Sequence, residues 1–218
     1  MMMLLAIDTS TRMIGIGLHD GKQVLSEYIW QGRGRHTIEL APQIALMMRR
    51  VEVKTTDLEA VAVALGPGSY TGLRIGLAMG KGLALARGLK LIGVPTFDVI
   101  ALRQPHVSEP LFVALEAGRG RIVGMWYKWS RKSWRPQGEM LLTSWDQFVE
   151  DVSESCRVCG EIDPLGRQLL GEHEGFSMGS PASCLRRPSD LAEIALERMR
   201  SKRRIKPQPT NPIYSAAP

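Results

Sequence analysis

Asp8 ends an apolar run, MLLAI, and Thr9, Ser10 and Thr11 follow it at once. A carboxylate at a strand end can orient a metal-bound water, and the N–H and hydroxyl groups of the next residues can meet a phosphate. Asp8, Thr9 and Ser10 are therefore a candidate phosphate loop. The same residues equally suit a plain turn, in which the Asp side chain bonds its own backbone two residues on. Both readings stay open, and no second acidic phosphate motif is evident. Two glycine-rich stretches fail other nucleotide readings. GPGSYTG has the spacing G-x-G-x-x-x-G, not that of the dinucleotide fingerprint. GLAMGKG is one residue too short for a P-loop, and no Ser or Thr follows Lys81.

Metal and thiol chemistry find little support. Cys156 and Cys159 form a lone C-x-x-C; with Cys184 and His173 a four-ligand zinc site can be drawn, but the intervals are irregular. Buried thiols near a strand are the plainer expectation, with no metal. The other histidines, His19, His36 and His106, are scattered, and His36 has Leu40, not a second His, four residues on.

The elements that must position Asp8 read as α/β. Residues 3–9, IGIGLHDG and KQVLSEYIW predict three sequential strands. A helix over 36–51 follows, then the apolar strand 58–65, a glycine-rich helix, the strand LKLIGVP and a short helix TFDVIALRQ. Pro42 suggests that the 36–51 helix starts near Leu40 or Ala41. The second half predicts strands at PLFVALEAG, RIVGMWYKWS, GEMLLTS and CRVCGE, a helix at SWDQFVEDV, and a helix at SDLAEIALERMRSK capped by Ser189. The expected division is 1–102 and 103–218, the latter smaller and ending in a Pro-rich tail.

Gly72, Gly76 and Gly80 recur every fourth residue inside the glycine-rich helix. Three interior glycines cost about 2–3 kcal/mol relative to alanine, so the stripe needs a reason. A face without side chains allows another backbone very close. That backbone is either the protein's own sheet or a helix of another chain. The 36–51 helix carries two apolar stripes, Leu40, Ile44, Met47, Val51 and Ile38, Ala41, Ala45, Met48. A single core needs one, so the surplus face suits a partner.

The net charge of the 218 residues is +6. Residues 116–135 hold six basic residues and one acidic, with Trp126, Tyr127, Trp129 and Trp134 between them; residues 186–206 hold eight basic and three acidic. Such stretches suit phosphate contact and base stacking, or simply a solvated strand and helix. MMMLLAIDTS lacks the form of a signal peptide, and no apolar run reaches the ~18 residues of a membrane span. The reading is a cytoplasmic protein.

AIDTST, RHTIELAPQI and GPGSYTGLRIG together resemble the TsaB family, also called YeaZ. The likeness runs through nearly all of the first ~100 residues and continues more loosely through ALEAGRGRIVGMWY, where Glu116 stands at a position the family often fills with Asp. NPIYSAAP resembles the family's Pro-x-Tyr-Leu-Arg ending, with Ser215 and Ala216 in place of Leu-Arg. The resemblance implies an actin-like ATPase (ASKHA, ribonuclease-H-like) fold with two lobes, the second reduced. It implies a non-catalytic subunit, without cofactor, of the complex that makes threonylcarbamoyladenosine in tRNA. Its partners would be the catalytic relative TsaD and the small ATPase TsaE, with a homodimer when alone and a possible tRNA contact through 116–135 and 186–206. The metal-binding histidines of TsaD would fall at Thr96 and Ile100, which speaks against a metallopeptidase. The implied dimer and partner surface lies on the two helices, at His36, Leu40, Ile44, Met47, Met48, Gly72, Leu73, Gly76 and Gly80. The alternative is an active phosphotransferase or hydrolase of the same fold, using Asp8.

Overall fold

The computed structural model describes residues 2–32, 34–201 and 211–214. Among them the chain forms two compact units. The first comprises the residues up to Thr96 together with those from Arg186 to Ile213; the second holds Phe97–Leu185 and Tyr214.

The first unit is built on a mixed sheet of β1 (Met3–Asp8), β2 (Met13–His19), β3 (Val24–Gln31), β4 (Leu58–Ala64) and β5 (Lys90–Val94), in the order β3-β2-β1-β4-β5. β1 is central: β2 runs antiparallel to it and β4 parallel. Alternation assigns the two faces. Leu5, Ile7, Ile14, Ile16, Val61 and Val63 pack under α1 (His36–Arg50) and α2 (Tyr70–Arg87). The opposite face of β2 and β4 is small, with Gly15, Gly17, Ala60 and Ala62. There the last helix, α6 (Pro188–Arg200), approaches so closely that a Cβ on Gly15 or Gly17 would strike Pro188. Leu191, Ala192, Ala195 and Leu196 of α6 are buried.

The second unit repeats this sheet. β6 (Leu111–Gly118) is central, with β7 (Arg121–Ser130) antiparallel and β8 (Ser133–Ser144) beyond it. β9 (Cys156–Gly160) is parallel on the other side, and β10 (Phe176–Met178) follows. Its order, β10-β9-β6-β7-β8, reproduces the first sheet strand for strand. Residues of α3 (Thr96–Leu102) share a core with Leu111, Val113 and Tyr127. α4 (Trp145–Asp151) and α5 (Pro164–Gly171) cover the other face, around Phe112 and Val158.

Three expectations need correction. The division at residue 102 fails twice over: Phe97 onward joins the second core, and α6 returns to the first sheet because its apolar stripe fits the Gly/Ala face. α1 begins at His36 and carries Pro42 inside it, on an exposed turn where the lost backbone bond is tolerated. Ser189 does not cap α6; Pro188 is its first residue, and the Ser189 N–H and hydroxyl both donate to Glu27 Oε1 (2.9 and 2.7 Å).

Candidate functional site

Asp8 closes β1 and is almost wholly buried. Its Oδ1 accepts from the Ser10 N–H (2.8 Å) and the Ser10 hydroxyl (2.5 Å), the self-bonded turn. Its Oδ2 accepts from Arg186 Nε at 3.0 Å. Arg186 leads into α6, is equally buried, and also donates to Met13 O (3.1 Å) and the Thr11 hydroxyl. A carboxylate taken out of water needs a countercharge. Here the protein's own guanidinium supplies it, on the oxygen that Ser10 leaves open.

The start of α2 fills the rest of the loop. Ser69 N–H donates to Ser10 O (2.6 Å), and the Thr9 hydroxyl donates to Gly72 O (2.7 Å). Gly68 lies against Ser10 O, Gly72 against Thr9 O and Gly76 against Thr9 Oγ1, each too close for a Cβ; Gly80 faces Val63 and Leu91. The glycine stripe therefore serves the chain's own sheet. It lets α2 settle on the Asp8 loop, and Ser69 caps it by accepting from Gly72 N–H (3.2 Å). Behind this loop, Ile213 N–H donates to Leu65 O (2.6 Å), and the Ile213 carbonyl abuts Gly66. Ser215 and Ala216 lie outside the described residues.

The residues that the sequence offers for an interface lie mostly inward in the first unit. Leu40, Ile44, Met47, Met48, Leu73, Gly72, Gly76 and Gly80 are all buried within the first unit, and His36 is half-buried, its Nε2 3.4 Å from Thr11 O. The surplus face is real but lies one stripe over. On α1, Ile38 is 66% exposed, with Ala41, Pro42 and Ala45 also outward. On α2, Leu85 is 88% exposed, Ala78 and Ala86 are exposed, and a Cβ on Gly82 would meet nothing.

The three thiols are free and buried in the packing of the second unit. Cys156 and Cys159 stand three apart on β9 and so point to opposite faces, one to each core of the second unit. Burial pushes the Cys156 thiol up to about 12 and that of Cys159 well above its ordinary value. Among the described residues no cluster of three or more His, Cys, Asp or Glu forms a possible metal site.

The two basic stretches part company. Arg186 holds Asp8, Arg187 holds Glu27, Arg198 Nη1 donates to Gly93 O (2.6 Å) and Arg200 Nη2 to Gly21 O (2.5 Å). Lys202, Arg203, Arg204 and Lys206 lie outside the described residues. In 116–135 the aromatics turn inward or half-inward: Tyr127 donates to Asp98 Oδ1 (2.8 Å), and Trp134 Nε1 donates to Gln104 O (3.1 Å).

Residues 23–144 match the family model "TsaD: tRNA N6-adenosine threonylcarbamoyltransferase", over half of the chain. A relative from Buchnera aphidicola (subspecies Baizongia pistaciae), named tRNA threonylcarbamoyladenosine biosynthesis protein TsaB, is 31% identical over 193 residues, covering 77% of this chain and 86% of its own. The protein of the same name from Bacillus subtilis is 28% identical over 203 residues, 90% of this chain and 88% of its own. The chain belongs to the TsaB family. The solved structure of YeaZ from Pseudomonas aeruginosa, at 20% identity, superimposes with a TM-score of 0.76 over 98% of this chain and all of that one, a likeness of fold. The duplicated sheet is the two-lobed actin-like ATPase architecture that the TsaB resemblance implies.

In this TsaB-family chain, the positions where the resemblance would place the histidines of TsaD do other work. The Thr96 hydroxyl accepts from Gly66 N–H (3.1 Å) in the first unit, and Ile100 is buried in the second. Arg186 is what the sequence reading missed. It stands 178 residues from Asp8, in a run read as surface charge, and its one signal was indirect: a carboxylate at the end of a fully apolar strand needs a cation from somewhere.

Proposed function

We propose that this chain is a non-catalytic partner and activator subunit in the biosynthesis of threonylcarbamoyladenosine in tRNA. It pairs with a TsaD-type catalytic relative, recruits a TsaE-type ATPase, works in the cytoplasm, and self-associates when alone. One observation carries the reading. The only acidic residue of the candidate phosphate loop is neutralised from within by Arg186, and the glycine helix occupies the space beside it. Chemistry on a phosphate there would first require breaking the Asp8–Arg186 pair and moving the start of α2. What α1 and α2 offer instead is an outer face of Ile38, Ala41, Ala45, Ala78, Gly82 and Leu85, apolar and small enough for close helix contact. Among the described residues no helix is long and apolar enough to cross a membrane.

Sedimentation velocity on the chain, alone and mixed with the TsaD relative of the same organism, tests this. The expected result is a self-associated species that exchanges into a stoichiometric mixed complex. A Gly82→Glu variant, which adds its side chain into open space, should remain folded and lose both associations. A folded variant that still associates would remove this face from the account.

A further inference from the structure

The β7–β8 hairpin ends in a tip that folding does not explain. Arg131 and Lys132 form its two-residue turn with φ of +53° and +61°. Such a turn favours Asn-Gly, because glycine has no Cβ and asparagine's short polar side chain tolerates the left-handed region that other residues avoid. Here it holds two long cations. Next to it, Lys128 and Arg135 stand directly opposite each other across the strands, a like-charge pairing that weakens a hairpin. All four side chains are exposed, and among the described residues none of them is in an ion pair. The contrast with Arg186 and Arg187, each held by a carboxylate, is sharp.

The neighbouring aromatics supply a second element. The exposed His106 ring lies on half-buried Trp129, with centroids 4.6 Å apart and planes at 26°, and Trp134 braces Trp129 edge-on. A cleft of about 680 Å³ opens alongside, lined by His106, Trp126, Lys128 and Gln137 but also by Glu109 and Glu154. The His106–Trp129 stack forms part of its wall, so the carboxylates keep phosphates out, at the tip, while leaving an uncharged base free to reach the stack.

We propose that this tip is an RNA contact of the chain: Lys128, Arg131, Lys132 and Arg135 hold consecutive phosphates, and the His106–Trp129 stack receives a base. Flexible cations on a polyanion, beside an aromatic platform, are the elements of single-strand recognition. The choice of RNA rests on the proposed role in tRNA modification. The arginines of 186–200 take no part, being engaged within the chain.

The test uses the full-length chain, alone and with its TsaD-type partner, and fluorescence anisotropy of a labelled substrate tRNA over a salt series. Arg131→Asn with Lys132→Gly installs the turn the hairpin prefers, so the double variant should melt at a higher temperature than the parent. It should nevertheless bind tRNA more weakly, with the slope of log K against log salt reduced by about 1.5 for two lost phosphate contacts. A purely structural tip would show the stability gain alone. An unchanged slope, or no salt-dependent binding by the parent chain in either state, would overturn the proposal. Sedimentation of the same variant with the partner separates the two readings. If association survives while the slope is unchanged, the RNA contact fails and the subunit reading stands; if the parent chain never associates, the subunit reading itself fails.

Discussion

Asp8 and Glu116 both lie near the end of the central strand in two sheets of one design, but on faces that do not correspond: Asp8 is on the face that α6 covers, Glu116 on the face that α4 and α5 cover. At each place the chain turns back into an antiparallel neighbour: Asp8 sits opposite Gly15, Glu116 opposite Ile122. Yet Asp8 is buried, bonded by Ser10 and paired with Arg186, whereas Glu116 is exposed. The first loop is pressed shut by a glycine helix on one side and by the residue leading into α6 on the other. In the second unit Arg119 and Gly120 form an open turn. The difference teaches that a repeated scaffold repeats shape, not chemistry. What surrounds a strand end decides whether its carboxylate is a ligand, a structural ion or a solvated charge.

The comparison can be broken most severely at Gly76. A leucine there would drive into Thr9 and separate α2 from β1; we expect a loss of more than about 3 kcal/mol and little soluble folded protein, measured by denaturant unfolding. Normal stability would mean that the glycine stripe does not hold the loop shut. Arg186→Ala comes next. It strands a buried carboxylate and should cost about 3–5 kcal/mol, while Arg186→Met combined with Asp8→Asn should recover most of that. Glu116→Gln, near the end of the second central strand, should change stability by less than about 0.5 kcal/mol. Equal effects at Asp8 and Glu116 would erase the contrast.

A smaller effect sharpens the role of α6. Burial tends to raise the Glu27 carboxyl, but the Arg187 guanidinium and the Ser189 N–H and hydroxyl outweigh it and hold the group below the ordinary glutamate value of 4.5. A carboxyl depressed by folding adds stability above that value and loses it as pH falls toward its folded one. The melting-temperature gap between the parent and Glu27→Gln should therefore be widest near neutrality and shrink on acidification below about pH 4.5. A gap independent of pH would assign Glu27 to packing alone. Smallest of all, Gly82→Glu should leave stability unchanged or raise it by up to about 1 kcal/mol, since an exposed helix interior prefers almost any residue to glycine.

Much of this was legible in the sequence because local rules and tertiary packing agree. The apolar alternation of β1, β2 and β4, the hairpins of the second sheet and the two stripes of α1 all follow from periodicity. What periodicity cannot give is which of two stripes faces inward: Leu40, Ile44 and Met47 were as suitable for a partner as Ile38, Ala41 and Ala45. The Gly72–Gly76–Gly80 stripe announced a close approach without saying to what; Thr9, more than sixty residues away, is the answer. Arg186 and the Glu27–Ser189 bonds depend on α6 returning to the first sheet, a long-range event with no local signal. α5 and β10 went unread because they are short and lack a clear period.

The central claim is that the chain works through its outer helix face and not through Asp8. A reconstituted threonylcarbamoyl-transfer assay with the TsaD and TsaE relatives, supplied either with Asp8→Asn/Arg186→Met or with Gly82→Glu, tests it most directly. The account predicts near-parental modification of tRNA with the first, folded but stripped of its loop carboxylate, and loss of modification with the second. Activity that survives Gly82→Glu and disappears with the Asp8 loop variant would contradict it.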